Sequence, residues 1–279
     1  HAGRAASGGV LAADLARRGF TGARRILEGE RGFFAATSSD ARPERVIQGL
    51  PCGIENSHSF QDHRRGFIPQ GLTSGMQDYK ITGVSIKPHA SCRHTHPAID
   101  AALALRQEHD LAPERIEQVE VETYGAALAL CDNPAPGTPY AAKFSLQYCV
   151  VCALARGRAG LADFEPAALE DEAIGRLLPR VRVGLDKGLD ICYPQEWPAR
   201  VRVITGDGET LEALVRTPKG DPENPLTWAE LEAKFRDLAS GTAYAAASEA
   251  IITAVHGLDQ VPGMDAFWEI IEGKARTAA

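Results

Sequence analysis

Residues 81–100 read ITGVSIKPHASCRHTHPAID. Ile81, Val84 and Ile86 open the stretch in the manner of a strand, and Lys87-Pro88 breaks it. Six polar or reactive side chains follow within ten positions: Lys87, His89, Cys92, Arg93, His94 and His96. From Pro97 onward Ala98, Ile99, Ala102 and Leu103 recur at helical spacing. Cations and proton carriers at a strand-to-helix junction suit an anionic substrate. The same cluster suits a metal, because His89, Cys92, His94 and His96 offer the nitrogen and sulfur donors that Zn prefers.

Downstream, the helix runs through Leu105 and closes near His109-Asp110. Residues 116–124, IEQVEVETY, alternate apolar and acidic positions, which predicts a strand with one wet face. Its glutamates then form a solvated surface and not a general-base cluster. Residues 141–156, AAKFSLQYCVVCALAR, predict a strongly apolar helix. Cys149 and Cys152 lie inside it. A metal or redox pair normally opens a helix from a loop, so these two are expected to be core thiols. Tyr148, on the same helix, keeps a hydroxyl available to donate. An acidic helix over 164–178 and a strand over 181–186 follow. Residues 197–205 and 209–217 flank Asp207-Gly208 as a hairpin. Thr227 and Glu230 form a capping box for a helix over 228–238, and helices over 248–255 and 264–271 end the chain.

Upstream, residues 1–19 predict a helix with a Val10, Leu11, Leu15 stripe and a basic last turn. Residues 38–80 lack periodicity, and His58, Asp62 and His63 are expected on a surface loop there. The layout is helical at both ends and mixed between. It divides into 1–50, an irregular connection over 51–80, a mixed segment over 81–217, and 218–279. The two ends are expected to share one helical domain, with the mixed domain inserted between them.

The chain has 279 residues, 44% of them apolar and 24% charged, enough for a normal globular core in one large or two modest domains. A net charge of −7, without basic runs carrying interleaved aromatics, argues against nucleic acid as partner. No apolar run reaches the roughly 18–20 residues of a membrane span. The six cysteines follow no paired spacing and read as reduced cytoplasmic thiols. The chain starts at His1 without Met or leader, which reads as a fragment.

Four segments, in order, carry a resemblance: HAGRAASGGVLAADLARRGFTG with ILEGERGFF, IKPHASCRHTHPAIDAAL, KFSLQYCVVCALARG, and PKGDPENPLTWAELEAKF. They are similar to the MmgE/PrpD family, whose patterns K-P-x-H-x-G-x-A-A-x-x-G and K-P-Y-P-x-C-R-x-x-H-x-A-I-D they resemble. The resemblance implies two domains, an all-α helical domain split in sequence and an α+β lid domain, with the site in the cleft between them and a homodimer as assembly. It implies cofactor-free lyases and isomerases of polycarboxylates, and here a 2-methylcitrate dehydratase-type enzyme in the cytoplasm. Lys87 matches a site lysine at the start of the lid, and Tyr148 matches a site tyrosine on the lid helix. His1 lies in the K-P-x-H motif beside the cleft. At the position where a decarboxylase of the family carries a site histidine this chain has Cys92, so the resemblance implies either that decarboxylation is disfavoured or that His94 or His96 takes over the acid–base role. The expected catalytic set is Lys87, Tyr148 and His94, with His1, Cys92, Arg93 and His96 binding substrate and no metal. Three departures accompany the resemblance. The lysine of the K-P-x-H motif is absent, the first part of the helical domain is missing, and residues 50–79 are longer than the usual connection. Two alternatives stand beside it: a Zn-dependent hydrolase using His89, Cys92, His94 and His96, and an inactive truncated member serving as a binding or dimerisation module.

Overall fold

The computed structural model describes residues 2–23, 25–27, 29, 30, 32–39 and 83–275. The roles expected of His1 and the readings made for residues 40–82, including the loop histidines, fall outside them. The chain divides into two compact units, residues 1–83 and 84–279. In the first, α1 (Ala2–Arg17) ends in Arg17 and Arg18, both paired with Asp14, and Gly19 follows at φ +87°. A short α2 (Phe33–Thr37) completes what is described of it.

The second unit is α+β. Its helices and strands are α3 (His96–Glu108), β1 (Ile116–Thr123), α4 (Gly125–Cys131), α5 (Pro139–Ala142), α6 (Leu146–Arg156), α7 (Pro166–Leu169), α8 (Glu172–Leu177), β2 (Val181–Leu185), α9 (Lys187–Asp190), β3 (Ala199–Thr205), β4 (Thr210–Val215), α10 (Trp228–Ser240), α11 (Ser248–His256) and α12 (Asp265–Ala275). The strands form one mixed sheet in the order β2-β1-β3-β4, parallel between β1 and β2 and antiparallel elsewhere.

The period-two pattern sorts the sheet's two faces. Val119, Val121, Val181, Val201, Val203 and Leu211 are buried against α3 and α6. On the other face Glu120 sits opposite Arg202, and Glu122 opposite Arg200. Arg200 bridges Glu122 and Asp186, and Arg202 bridges Glu120, Glu122 and Glu212. Glu120 and Glu122, read as solvated, are therefore rungs of a cross-strand ion-pair ladder. The hairpin forms with Gly208 at φ +85° in its turn.

Three expected elements differ. Residues 84–87 join no strand of the sheet; the Ile86 N–H donates to Gly220 O at 2.8 Å. The helix expected over 141–156 breaks after Ala142, and Ser145 restarts it by accepting from the Tyr148 N–H. The helix expected over 164–178 is three short pieces. Pro166 opens one of them, and Asp171 opens the next by accepting from the Ala173 and Ile174 N–H groups.

Candidate active site

The stretch 87–100 is held from three sides. The Ala90 N–H donates to Ala159 O (3.0 Å) and the Cys92 N–H to Lys143 O (2.8 Å). A 3-10 turn, Arg93–Thr95, then leads into α3, with Pro97 in its first turn. From this tight turn Arg93 and His96 meet each other, while His94 meets Tyr124.

Arg93 and His96, expected to bind substrate, have partners within the fold. One Arg93 nitrogen donates to His96 Nδ1 (3.0 Å) and Lys219 O (2.9 Å); the other donates to Pro218 O (3.4 Å) and pairs with Asp221. His96 is fully buried, and its Nε2–H donates to Ser91 O. Burial first, then the charges of His89 and Arg93, hold its pKa down at about 2, so it is neutral. His89 donates to Asp100, whose other oxygen accepts from the Lys219 N–H at 2.7 Å. These four side chains clamp the 218–221 loop to the start of α3.

Lys87 is exposed and His94 half-buried. Lys87 Nζ donates once, to Ser91 O at 3.2 Å, and an ammonium has three donors. Its charge acts on Cys92, His94 and His96. His94 Nδ1 lies 2.8 Å from the Tyr124 hydroxyl. The imidazole stacks on Trp197, with centroids 4.6 Å apart, and Tyr124 stacks on Tyr193 at 4.5 Å. Tyr124 closes β1, Trp197 precedes β3, and Tyr193 lies in the turn after α9, so the sheet's end assembles the box. Burial, then Lys87, lowers the His94 pKa from its ordinary value. Burial, then Tyr193 and the nearby thiols, raises that of Tyr124. At neutral pH the pair is thus a neutral imidazole on a protonated phenol. If Tyr124 donates to Nδ1, Nε2 carries a proton to give; if it accepts from Nδ1–H, Nε2 is a free base.

Cys92 caps the turn, and Cys131 is the last residue of α4, which packs on that turn. Tyr148 lies apart from this group. Its hydroxyl donates to Asp163 O at 2.8 Å, its ring packs on Phe164, and it is almost fully buried. The proton-donor role expected of Tyr148 meets a hydroxyl already engaged by a backbone carbonyl. Cys149 and Cys152 are buried core thiols, as their place within the helix suggests.

The tyrosine that meets His94 escaped sequence reasoning. Tyr124 counted as the last residue of an alternating strand, and Trp197 as the first of a hairpin. The one local signal is Tyr124-Gly125, an aromatic at a strand's end directly before a helix. Among the described residues no group of three or more His, Cys, Asp or Glu is placed to hold a metal ion. The Zn reading of His89, Cys92, His94 and His96 is therefore not found: the His89 and His96 rings lie 5.0 Å apart but face Asp100 and Arg93, while His94 faces Tyr124.

The α+β unit thus brings His94 of the 93–95 turn onto Tyr124 at the end of β1. The sequence model of the MmgE/PrpD C-terminal domain matches residues 89–260, and that of the N-terminal domain matches residues 1–46. The chain belongs to the MmgE/PrpD family. It is 25% identical over 97% of its length to a cis-aconitate decarboxylase-like protein of Aspergillus oryzae, covering 54% of that protein. It is 25% identical over 98% of its length to cis-aconitate decarboxylase of Mus musculus, covering 52% of it. The chain thus spans about half the length of these curated relatives. Among the described residues no helix is long and apolar enough to cross a membrane.

Proposed function

We propose that this chain is part of a cofactor-independent lyase that removes water from a hydroxylated di- or tricarboxylate of the 2-methylcitrate kind. The observation that carries the reading is His94 held on the Tyr124 hydroxyl, its imidazole kept neutral by burial and by the charge of Lys87. Lys87 pairs with a substrate carboxylate and stabilises the charge that develops when the neighbouring carbon loses its proton. His94 Nε2 takes that proton while Nδ1–H donates to the Tyr124 oxygen. The imidazolium then gives the proton to the departing hydroxyl, so the carbon–hydrogen and carbon–oxygen bonds break and water leaves. Family membership and the charge of the site support a polycarboxylate.

Loss of carbon dioxide is the second reading, favoured by the names of the two relatives. In it the same imidazole protonates the carbon that loses its carboxylate. The homodimer implied by the family resemblance belongs to this proposal and is checked by light scattering. The test is the full-length protein against citrate, 2-methylcitrate, cis-aconitate and iminodisuccinate, with products read by NMR. Turnover of one of them, cut about 100-fold or more by His94→Gln and sharply by Lys87→Ala, is expected. Unchanged turnover in both variants refutes the assignment, and no turnover of any polycarboxylate favours a binding or dimerisation module.

A further inference from the structure

Trp197 touches the His94–Tyr124 pair and has no part in the chemistry above. Its indole lies face to face with the His94 imidazole, with centroids 4.6 Å apart and planes 19° from parallel. Tyr124 and Tyr193 cross the same indole steeply, at 6.3 Å and 5.6 Å. The backbone that carries the indole is fixed on both sides. The Trp197 N–H donates to Arg216 O at 3.2 Å, and Pro198 O accepts from the Thr123 hydroxyl at 2.8 Å. Thr123 precedes Tyr124 and pairs with Ala199 across the sheet. One register of β1 on β3 therefore places both the hydrogen-bond partner of the imidazole and its stacking partner. Stacking sets the plane of the ring, and the Tyr124 hydroxyl sets its rotation within that plane.

We propose that Trp197 is a positioning residue for His94: its indole face holds the imidazole on Tyr124 and stabilises the imidazolium that forms when His94 takes up a proton. The negative face of an aromatic ring attracts a cation laid over it, and indole does so most strongly. The neutral imidazole gains only packing from the same contact. The contact therefore tightens as the charge appears, and an interaction that tightens in that way favours the step that creates the charge. It offsets part of what burial and Lys87 take from the charged ring. An aliphatic side chain in the same slot would exclude water and supply no such attraction. The titratable groups facing the imidazole are Tyr124 from the end of β1, Tyr193 from the turn after α9, and Lys87, whose charge opposes a proton there. Among the described residues no carboxylate pairs with the ring, so the indole is left to meet the imidazolium. The part of Trp197 in turnover rests on the lyase reading above.

The test follows the His94 ring C–H by NMR through a pH titration of the full-length protein without substrate, its resonance being the one lost in His94→Gln. In Trp197→Leu the pKa of His94 should lie about 0.5–1 pH unit below that of the parent, with Trp197→Phe between the two. An unchanged pKa, or a rise toward the ordinary value as water reaches the ring, makes the indole a plain cover and overturns the proposal. Trp197→Phe keeps a ring in the slot, so its comparison with the parent decides the matter even where Trp197→Leu does not fold. On a substrate that is turned over, Trp197→Leu should lower kcat about three- to tenfold and leave KM within about twofold. A raised KM with kcat unchanged puts the indole on the substrate and also overturns the proposal. Because the titration needs no substrate, a lowered pKa with no polycarboxylate turned over leaves the contact standing and sinks the lyase assignment alone.

Discussion

Arg93 separates a structural clamp from a substrate-binding residue. Its guanidinium is 12% exposed and its partner Asp221 15%. Arg93→Ala leaves that carboxylate without its cation, together with two loop carbonyls and His96 Nδ1 without their donor. Breaking a buried pair by removing one partner costs roughly 3–5 kcal/mol, and the residual exposure brings the expectation to about 3 kcal/mol. In a unit of this size that is a fall in Tm of about 6–12 °C. A double-mutant cycle with Asp221→Ala, read by urea or thermal unfolding, should give a coupling of about 1–3 kcal/mol. Arg93→Lys should restore only part of the loss, since an ammonium cannot span the carboxylate and both carbonyls. A Tm within about 2 °C of the parent, or additive single effects with only KM raised, would refute the clamp and return Arg93 to the substrate.

His96 is neutral when folded but binds a proton below its ordinary value near 6.5 when unfolded. The unfolded state then carries the extra proton, so stability should fall as pH drops from about 6.5, before the carboxylates titrate. His96→Gln should flatten that slope in Tm between pH 7 and 5, and an unchanged slope counts against it. Tyr124→Phe keeps the ring on Tyr193 but removes the partner of His94 Nδ1; turnover should fall about tenfold or more, with an altered pH profile. Tyr148→Phe should instead leave turnover intact and cost about 1 kcal/mol of stability; the opposite ranking of the two phenylalanine variants would restore the role first expected of Tyr148. Gly220 sits at φ +89°, where an added Cβ meets the Ile86 carbonyl. Gly220→Ala should detach the 84–87 strap and appear as faster amide exchange at Ile86.

The sequence by itself determined the elements whose signal is local. The β3–β4 hairpin follows from alternation around a glycine turn, and the α10 start follows from Thr227 and Glu230, which cap each other as expected. Membership of the MmgE/PrpD family was legible in four ordered segments, and Lys87 and His94 in their clustering. The broken helices were less legible, because Ser145 and Asp171 cap only where the chain lets them reach the next turn. Tertiary structure alone decided how the cluster is divided. Arg93, His96 and His89 turn inward because Asp221, Asp100 and the 218–221 carbonyls, distant in sequence, need donors there. His94 packs instead between Tyr124 and Trp197, because β1 ends at Tyr124 and β3 begins after Trp197. Periodicity reports which face of an element is buried. It carries no record of which side chains meet across a sheet's end, and that meeting makes the difference between a site residue and a clamp.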